Sequence, residues 1–105
     1  MSLFEENENL LEMIEEAETR VEKIKIDGPE SSSQEEKNLL AREIKTYISR
    51  LVDNIAASNG DVQALGGALV LVDLLEVLKR YKKIFQMPKL EKELENLEKM
   101  WESSR

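Results

Sequence analysis

The sequence predicts an all-α protein, specifically an antiparallel up-down four-helix bundle with short connections. Three observations support this fold class. Apolar residues recur at alternating intervals of four and three, the period of amphipathic helices. Only two Pro and four Gly interrupt 105 residues. The segment Leu65–Leu78 contains two charged residues, Asp73 and Glu76. Because a helix that is apolar on nearly every side needs neighbours on most of its circumference, this segment is expected to form the centre of the core.

The first helix is predicted over residues 3–25. Its apolar seam follows a heptad pattern, formed by Leu3, Asn7, Leu10, Ile14, Ala17, Val21 and Ile24. Asn7 takes an a position, where a buried asparagine selects register and partner number at a cost in stability. The alternative is that the first turns fray and Asn7 is hydrated. The opposite face carries mainly glutamate, including Glu12, Glu15 and Glu16, and is expected to be solvated.

The second helix is predicted over residues 33–58. Ser33 and Glu36 form the capping-box pattern that marks a helix start. The helix should end before Asn59 and Gly60, since either residue can adopt the left-handed conformation that closes a helix.

The third and fourth helices are predicted over residues 61–86 and 88–102, within a single domain of residues 1–105. Asp61 is the expected N-cap of the third helix, and Pro88 suits the first position of the fourth. The very short link before Asp61 predicts that helices two and three are adjacent and antiparallel. The alternative architecture is a three-helix bundle with the fourth helix exchanged between chains or packed across one end.

The pair Gly66-Gly67 lies inside the predicted third helix, where two glycines cost roughly 2 kcal/mol relative to alanine. Either the helix begins after them or a neighbouring helix approaches closely. We predict that at least one of them faces a neighbouring helix at close range.

The composition excludes several function classes. The chain has no Cys and no His, so it lacks disulfides, thiolate or histidine catalysis and the common metal ligands. No cofactor or metal is expected. The net charge of −7 argues against nucleic acid as a partner. The longest apolar run is too short for membrane insertion, and no signal peptide is evident at the start, so a cytoplasmic location is expected.

Two charged clusters could carry chemistry. Asp73 and Glu76 could act as a perturbed acid–base pair, but an ordinary ion pair between Glu76 and Arg80, four residues apart, is the favoured interpretation. The basic cluster Lys79–Lys83 could bind a membrane surface. The simpler interpretation is that its cations complement the helix dipole while Ile84 packs inward.

Helix lengths predict where a partner binds. The fourth helix is shorter than the others and should leave one end of the bundle uncovered. The residues expected to be exposed there are Leu3, Phe4, Asn7, Ile55, Val62 and Leu65. The sequence therefore predicts a non-catalytic protein-interaction module that docks another helical protein or a second copy, most simply as a homodimer. The alternatives are a small carboxylate-based enzyme or metal-binding bundle and, more weakly, a peripheral membrane binder.

Overall fold

The computed structural model describes residues 2–24 and 31–104. These residues form helices and turns with no strand among them, so the all-α class is confirmed. The described residues contain five helices: α1 Leu3–Lys23, α2 Ser31–Ala57, α3 Val62–Leu65, α4 Ala68–Lys82 and α5 Pro88–Ser104. The predicted helix over 61–86 is divided into α3 and α4, and α2 begins two residues before the predicted Ser33. The predicted end of the first helix at residue 25 lies outside the described residues.

Local capping explains several of the helix ends. The side chain of Ser2 accepts a hydrogen bond from the Glu5 amide at 3.2 Å and starts α1. The Asp61 carboxylate accepts from the amides of Gln63 and Ala64 at 3.0 and 3.3 Å, as predicted for an N-cap. After α2, Asn59 takes a left-handed φ of 51°, which matches the expected C-terminal turn.

The division of the third helix occurs at the two glycines. Gly66 and Gly67 have φ values of 122° and 86°, so neither continues a right-handed helix. The Gly67 amide donates to the Val62 carbonyl at 2.9 Å and closes α3, and α4 begins afterwards. A Cβ on Gly66 would lie 2.5 Å from Cδ2 of Phe4 in α1. The predicted close approach of a neighbouring helix is therefore confirmed for Gly66.

The long helices pack as two hairpins, α1 with α2 and α4 with α5. The hairpins meet mainly through α2 with α5, and α1 also contacts α3 and α4. Helix α2 packs more extensively against α5 than against α4. The predicted contact between the second and third helices is therefore not the main contact of α2. The reason is α3, which carries the chain onto α1 before α4 begins.

The core contains apolar residues from every helix. The side chains that are completely buried, or nearly so, include Ile14, Ile48, Leu51, Leu65, Leu71, Leu74, Leu78, Leu90 and Leu97. Helix α4 supplies the greatest share relative to its length, as predicted. It is not surrounded on all sides, however, because Leu69 is 84% exposed and Val72 is 40% exposed.

Candidate functional site

The end of the molecule that was expected to be open is closed. Leu65, Ile55 and Asn7 are buried within the chain, whereas Leu3 and Val62 are half-buried. Phe4 keeps the most surface of the six, at 38% exposure. The exposed apolar cluster predicted from helix lengths is therefore not formed, because α3 packs across α1 at this end. A role of these residues in partner binding stays a prediction.

The buried amide of Asn7 is satisfied inside the chain. Its Oδ1 accepts a hydrogen bond from Nδ2 of Asn54 at 2.9 Å, and its Nδ2 donates to the Leu65 carbonyl at 3.4 Å. These bonds join α1 to α2 and α3. The buried interpretation of this a-position asparagine is confirmed, and its hydrogen-bonding partners belong to the same molecule.

A polar cluster joins the last turn of α4 to α1. The Tyr81 hydroxyl donates to Oε2 of Glu18 at 2.6 Å, and the Arg80 guanidinium pairs with the same carboxylate oxygen. Burial raises the pKa of the Tyr81 phenol, and its hydrogen bond to Glu18 raises it further. The pKa of Arg80 is raised chiefly by its hydrogen bond to Glu18. These contacts place the last turn of α4 beside Glu18 of α1.

The acids of α4 are ordinary surface groups. Asp73 and Glu76 are both exposed. Arg80 lies 3.8 Å from the Glu76 carboxylate, so the predicted pair four residues apart is present. Sequence reasoning missed Glu18 as the other partner of Arg80, because helical spacing contains no signal for a contact between residues 62 positions apart.

An open groove lies beyond the end of α4, between the last turns of α1 and the first half of α2. We call it the end groove. It has a volume of about 660 Å³, and its apolar lining consists of Val21, Ala41, Ile44, Tyr81, Ile84 and Phe85. The Tyr81 and Phe85 rings stack with centroids 5.4 Å apart and supply one wall.

Ile84 lies at the rim of the end groove and is 63% exposed. The prediction that Ile84 packs inward is therefore wrong, although Tyr81 beside it is buried as expected. Ile84 follows the last helical turn of α4, so helical spacing no longer fixes its direction.

Helix lengths explain why the groove exists. At 1.5 Å per residue, α1 and α2 span roughly 31 and 40 Å, whereas α4 spans only about 22 Å. Since α4 ends level with Glu18, α1 and α2 extend past it. Among residues 2–24 and 31–104, the surface left without a helical neighbour is thus at the end opposite to the predicted one.

The remaining sequence-based candidates show no metal geometry. Glu12, Glu15 and Glu16 are exposed on the outer face of α1, as the solvated-face interpretation predicts. Within residues 2–24 and 31–104, no group of three His, Cys, Asp or Glu side chains could hold a metal ion. None of the helices in these ranges combines the length and apolar character required to cross a bilayer.

Comparison of the chain with protein-family models, curated proteins and solved structures found no significant match.

Proposed function

We propose that this chain is a non-catalytic protein-interaction module whose end groove binds a helical segment of a partner protein. The observation that carries the proposal is the apolar groove itself, with Ile84 exposed at its rim. An isolated exposed isoleucine is ordinary, but one that borders a concave apolar surface is typical of a binding site.

The shape of the groove favours a helix as the occupant. The groove is lined by residues of α1, of α2 and of the end of α4, so a helix placed there would pack against the ends of three helices. An amphipathic helix that lays its apolar face into a groove is a recurring mode of recognition. Glu22 of α1 and Lys37 of α2 both line the groove, and these unlike charges would favour one orientation of a partner helix that carries charges of its own.

The finer architecture belongs to the same proposal. We infer that α1, α2, α4 and α5 form an up-down bundle closed at one end by α3, which leaves the other end available for the partner. The cytoplasm remains the proposed location, because a cysteine-free domain of this kind does not depend on an oxidising compartment.

Site-specific photo-crosslinking in cells tests the proposal. A benzoylphenylalanine replaces Ala41, an exposed residue that lines the end groove, or Val72, an exposed residue on α4 outside it. We expect a discrete protein adduct from position 41 and none from position 72. Mass spectrometry of the adduct should place the crosslink in a helical segment with an apolar stripe.

Two matched variants identify the surface responsible. Ile84→Glu puts a charge on the groove rim and should abolish the adduct from position 41. Leu69→Glu changes an even more exposed apolar residue outside the groove and should leave the adduct unchanged. Adducts from position 72 alone, or loss of the adduct in the Leu69 variant only, would assign partner binding to α4 and contradict the proposal.

A further inference from the structure

A second groove lies on another side of α4, between its last turns and α5. Its volume is about 690 Å³, with Leu94 and Glu98 of α5 on one wall. The other wall carries Glu76 and four cations, Lys79, Arg80, Lys82 and Lys83. We call this the basic groove, because its lining has four cations and two acids in a chain whose net charge is −7.

Three of these cations have no acidic partner within the part of the chain that the structure describes. The ion pairs in residues 2–24 and 31–104 involve Glu18, Glu76 and Arg80. Lys79, Lys82 and Lys83 are exposed and take part in none of them. They are therefore able to pair with an external anion, in a groove that is also lined by the buried side chain of Leu94.

The same molecule carries a complementary surface on α1. Five exposed glutamates form what we call the acidic stripe: Glu5, Glu8, Glu12, Glu15 and Glu16. At about 100° per residue they fall within an arc of roughly 100°, opposite the buried seam. None of the five belongs to either ion pair above. The stripe points away from the core on α1, whereas the basic groove lies between α4 and α5.

We propose that the acidic stripe of one copy binds the basic groove of a second copy, in a head-to-tail contact. The charges match in sign, and they also match in spacing. Lys82 and Lys83 lie three and four residues after Lys79, and Glu15 and Glu16 lie three and four residues after Glu12. Residues at these separations are neighbours on a helix surface. Two helices laid side by side can therefore bring several opposite charges together at once.

Local charge complementarity identifies a second copy as the occupant. The acidic stripe is present wherever the chain is present, and it places five exposed carboxylates on one helix face, opposite in sign to the groove lysines. Two copies of a chain with a net charge of −7 repel at a distance, so only this local match of stripe and groove attracts them. Each copy carries both surfaces, so the contact is heterologous and can extend to further copies.

The contact should be weak and sensitive to salt. Its pairs are exposed, and Glu98 in the groove wall opposes an incoming carboxylate. Raising the ionic strength from about 0.1 M to about 1 M shortens the Debye length from roughly 10 Å to roughly 3 Å. We expect the weight-average mass at millimolar chain concentration to exceed the monomer mass at the lower salt and to return to it at the higher.

Charge reversal tests the pairing directly, with sedimentation equilibrium as the measurement. One variant combines Lys79→Glu, Lys82→Glu and Lys83→Glu, and the other combines Glu12→Lys, Glu15→Lys and Glu16→Lys. Each variant alone should be monomeric, because like charges then face each other. The mixture of the two should associate as a pair, since the reversed groove of one copy meets the reversed stripe of the other.

The matched control reverses Lys89, Lys92 and Lys99, exposed lysines of α5 outside the basic groove, with the same change in net charge. It should associate like the parent chain. A milder variant, with the three groove lysines replaced by Gln, should lower the association if full reversal perturbs folding, which circular dichroism monitors.

Three results would overturn the proposal. The first is a parent chain that stays monomeric at millimolar concentration in about 0.1 M salt. The second is a mixture of the two reversed variants that fails to associate although both are folded. The third is binding of the monomeric parent to phosphatidylserine vesicles through the groove lysines without self-association, which would assign those lysines to a membrane surface.

Discussion

At the scale of single residues, Glu18 explains how α4 is held against α1. Its carboxylate accepts hydrogen bonds from Tyr81 and Arg80, which lie in another helix. The sequence allowed the contact between Glu76 and Arg80 to be predicted, because it follows from spacing within one helix. The contact with Glu18 depends on how two helices pack and has no counterpart in local spacing.

The raised pKa of Tyr81 predicts a loss of stability at alkaline pH. The ordinary value is 10.0, and burial followed by the hydrogen bond to Glu18 raises the pKa in the folded chain. Above pH 10 the unfolded chain therefore releases this proton while the folded chain keeps it, and the free energy of unfolding falls as the pH rises. We expect the stability advantage of the parent over Tyr81→Phe to shrink from pH 9 to 11 in urea melts.

Tyr47→Phe, which leaves the contact between Tyr81 and Glu18 intact, is the control for general alkaline effects. It should follow the parent across the same pH range. A parent and a Tyr81→Phe variant that lose stability in parallel would contradict the assignment to Tyr81.

The buried asparagine pair makes a second prediction at this scale. Replacing Asn7 or Asn54 alone with Leu leaves the other amide without its partner, at a cost of about 1–3 kcal/mol. The double replacement removes both polar groups together and should cost less than the sum of the single changes. Urea melts of the three variants measure this coupling. Additive losses would show that the 2.9 Å bond contributes no net stability.

At the scale of elements, the third helix shows where sequence reasoning succeeded and where it failed. The apolar spacing from Leu71 to Tyr81 correctly predicted helix and core, because burial of those residues drives packing. The same spacing did not decide between the two interpretations of Gly66 and Gly67, and the structure bears out both, since α4 begins after them at Ala68 and Phe4 of α1 lies close to Gly66. Their cost was recognised, but whether a glycine pair is tolerated inside a helix or divides it depends on what packs against it, here Phe4.

The glycines therefore predict a graded effect of alanine substitution. Gly67→Ala should destabilise by about 1–3 kcal/mol, since its φ of 86° and ψ of −173° lie in a region that only glycine occupies readily. Gly66→Ala should cost more, because the new Cβ also meets the Phe4 ring. Gly60→Ala is the control for strain without a clash, since nothing lies within 4 Å of a Cβ there.

Thermal melts of the three alanine variants provide the measurement. Adding Phe4→Ala to Gly66→Ala removes the clash with the ring, although the new Cβ still lies 2.8 Å from Cγ2 of Val70, and should make the combined loss smaller than the sum of the single losses. A gain in stability from both Gly66→Ala and Gly67→Ala, as helix propensity alone would predict, would contradict the observed turn.

At the scale of the whole molecule, one error in a predicted helix length placed the expected partner-binding surface at the wrong end. The comparison of lengths was sound, because a short helix beside long ones must leave part of them uncovered. With the third helix taken as continuous, the fourth was the short one and the Phe4 end was left open. With α4 reduced to 15 residues and α3 packed at that end, the uncovered part is the end groove.

Two leucines on the first turn of α4 provide the sharpest test of the global packing. Leu71 is completely buried, whereas Leu69, two positions earlier on the same helix, is 84% exposed. Leu71→Ala should cost about 2–5 kcal/mol, because it removes packed methyl groups and leaves a cavity. Leu69→Ala changes helix propensity by nearly the same amount as Leu71→Ala but removes little buried surface. Its cost in the free energy of unfolding should therefore stay within about 0.5 kcal/mol. Urea melts with unchanged m-values measure both. The two substitutions are chemically identical, so equal losses of stability would mean that the two sides of α4 are buried alike. A larger loss of stability at Leu69 would require α4 to be rotated about its axis.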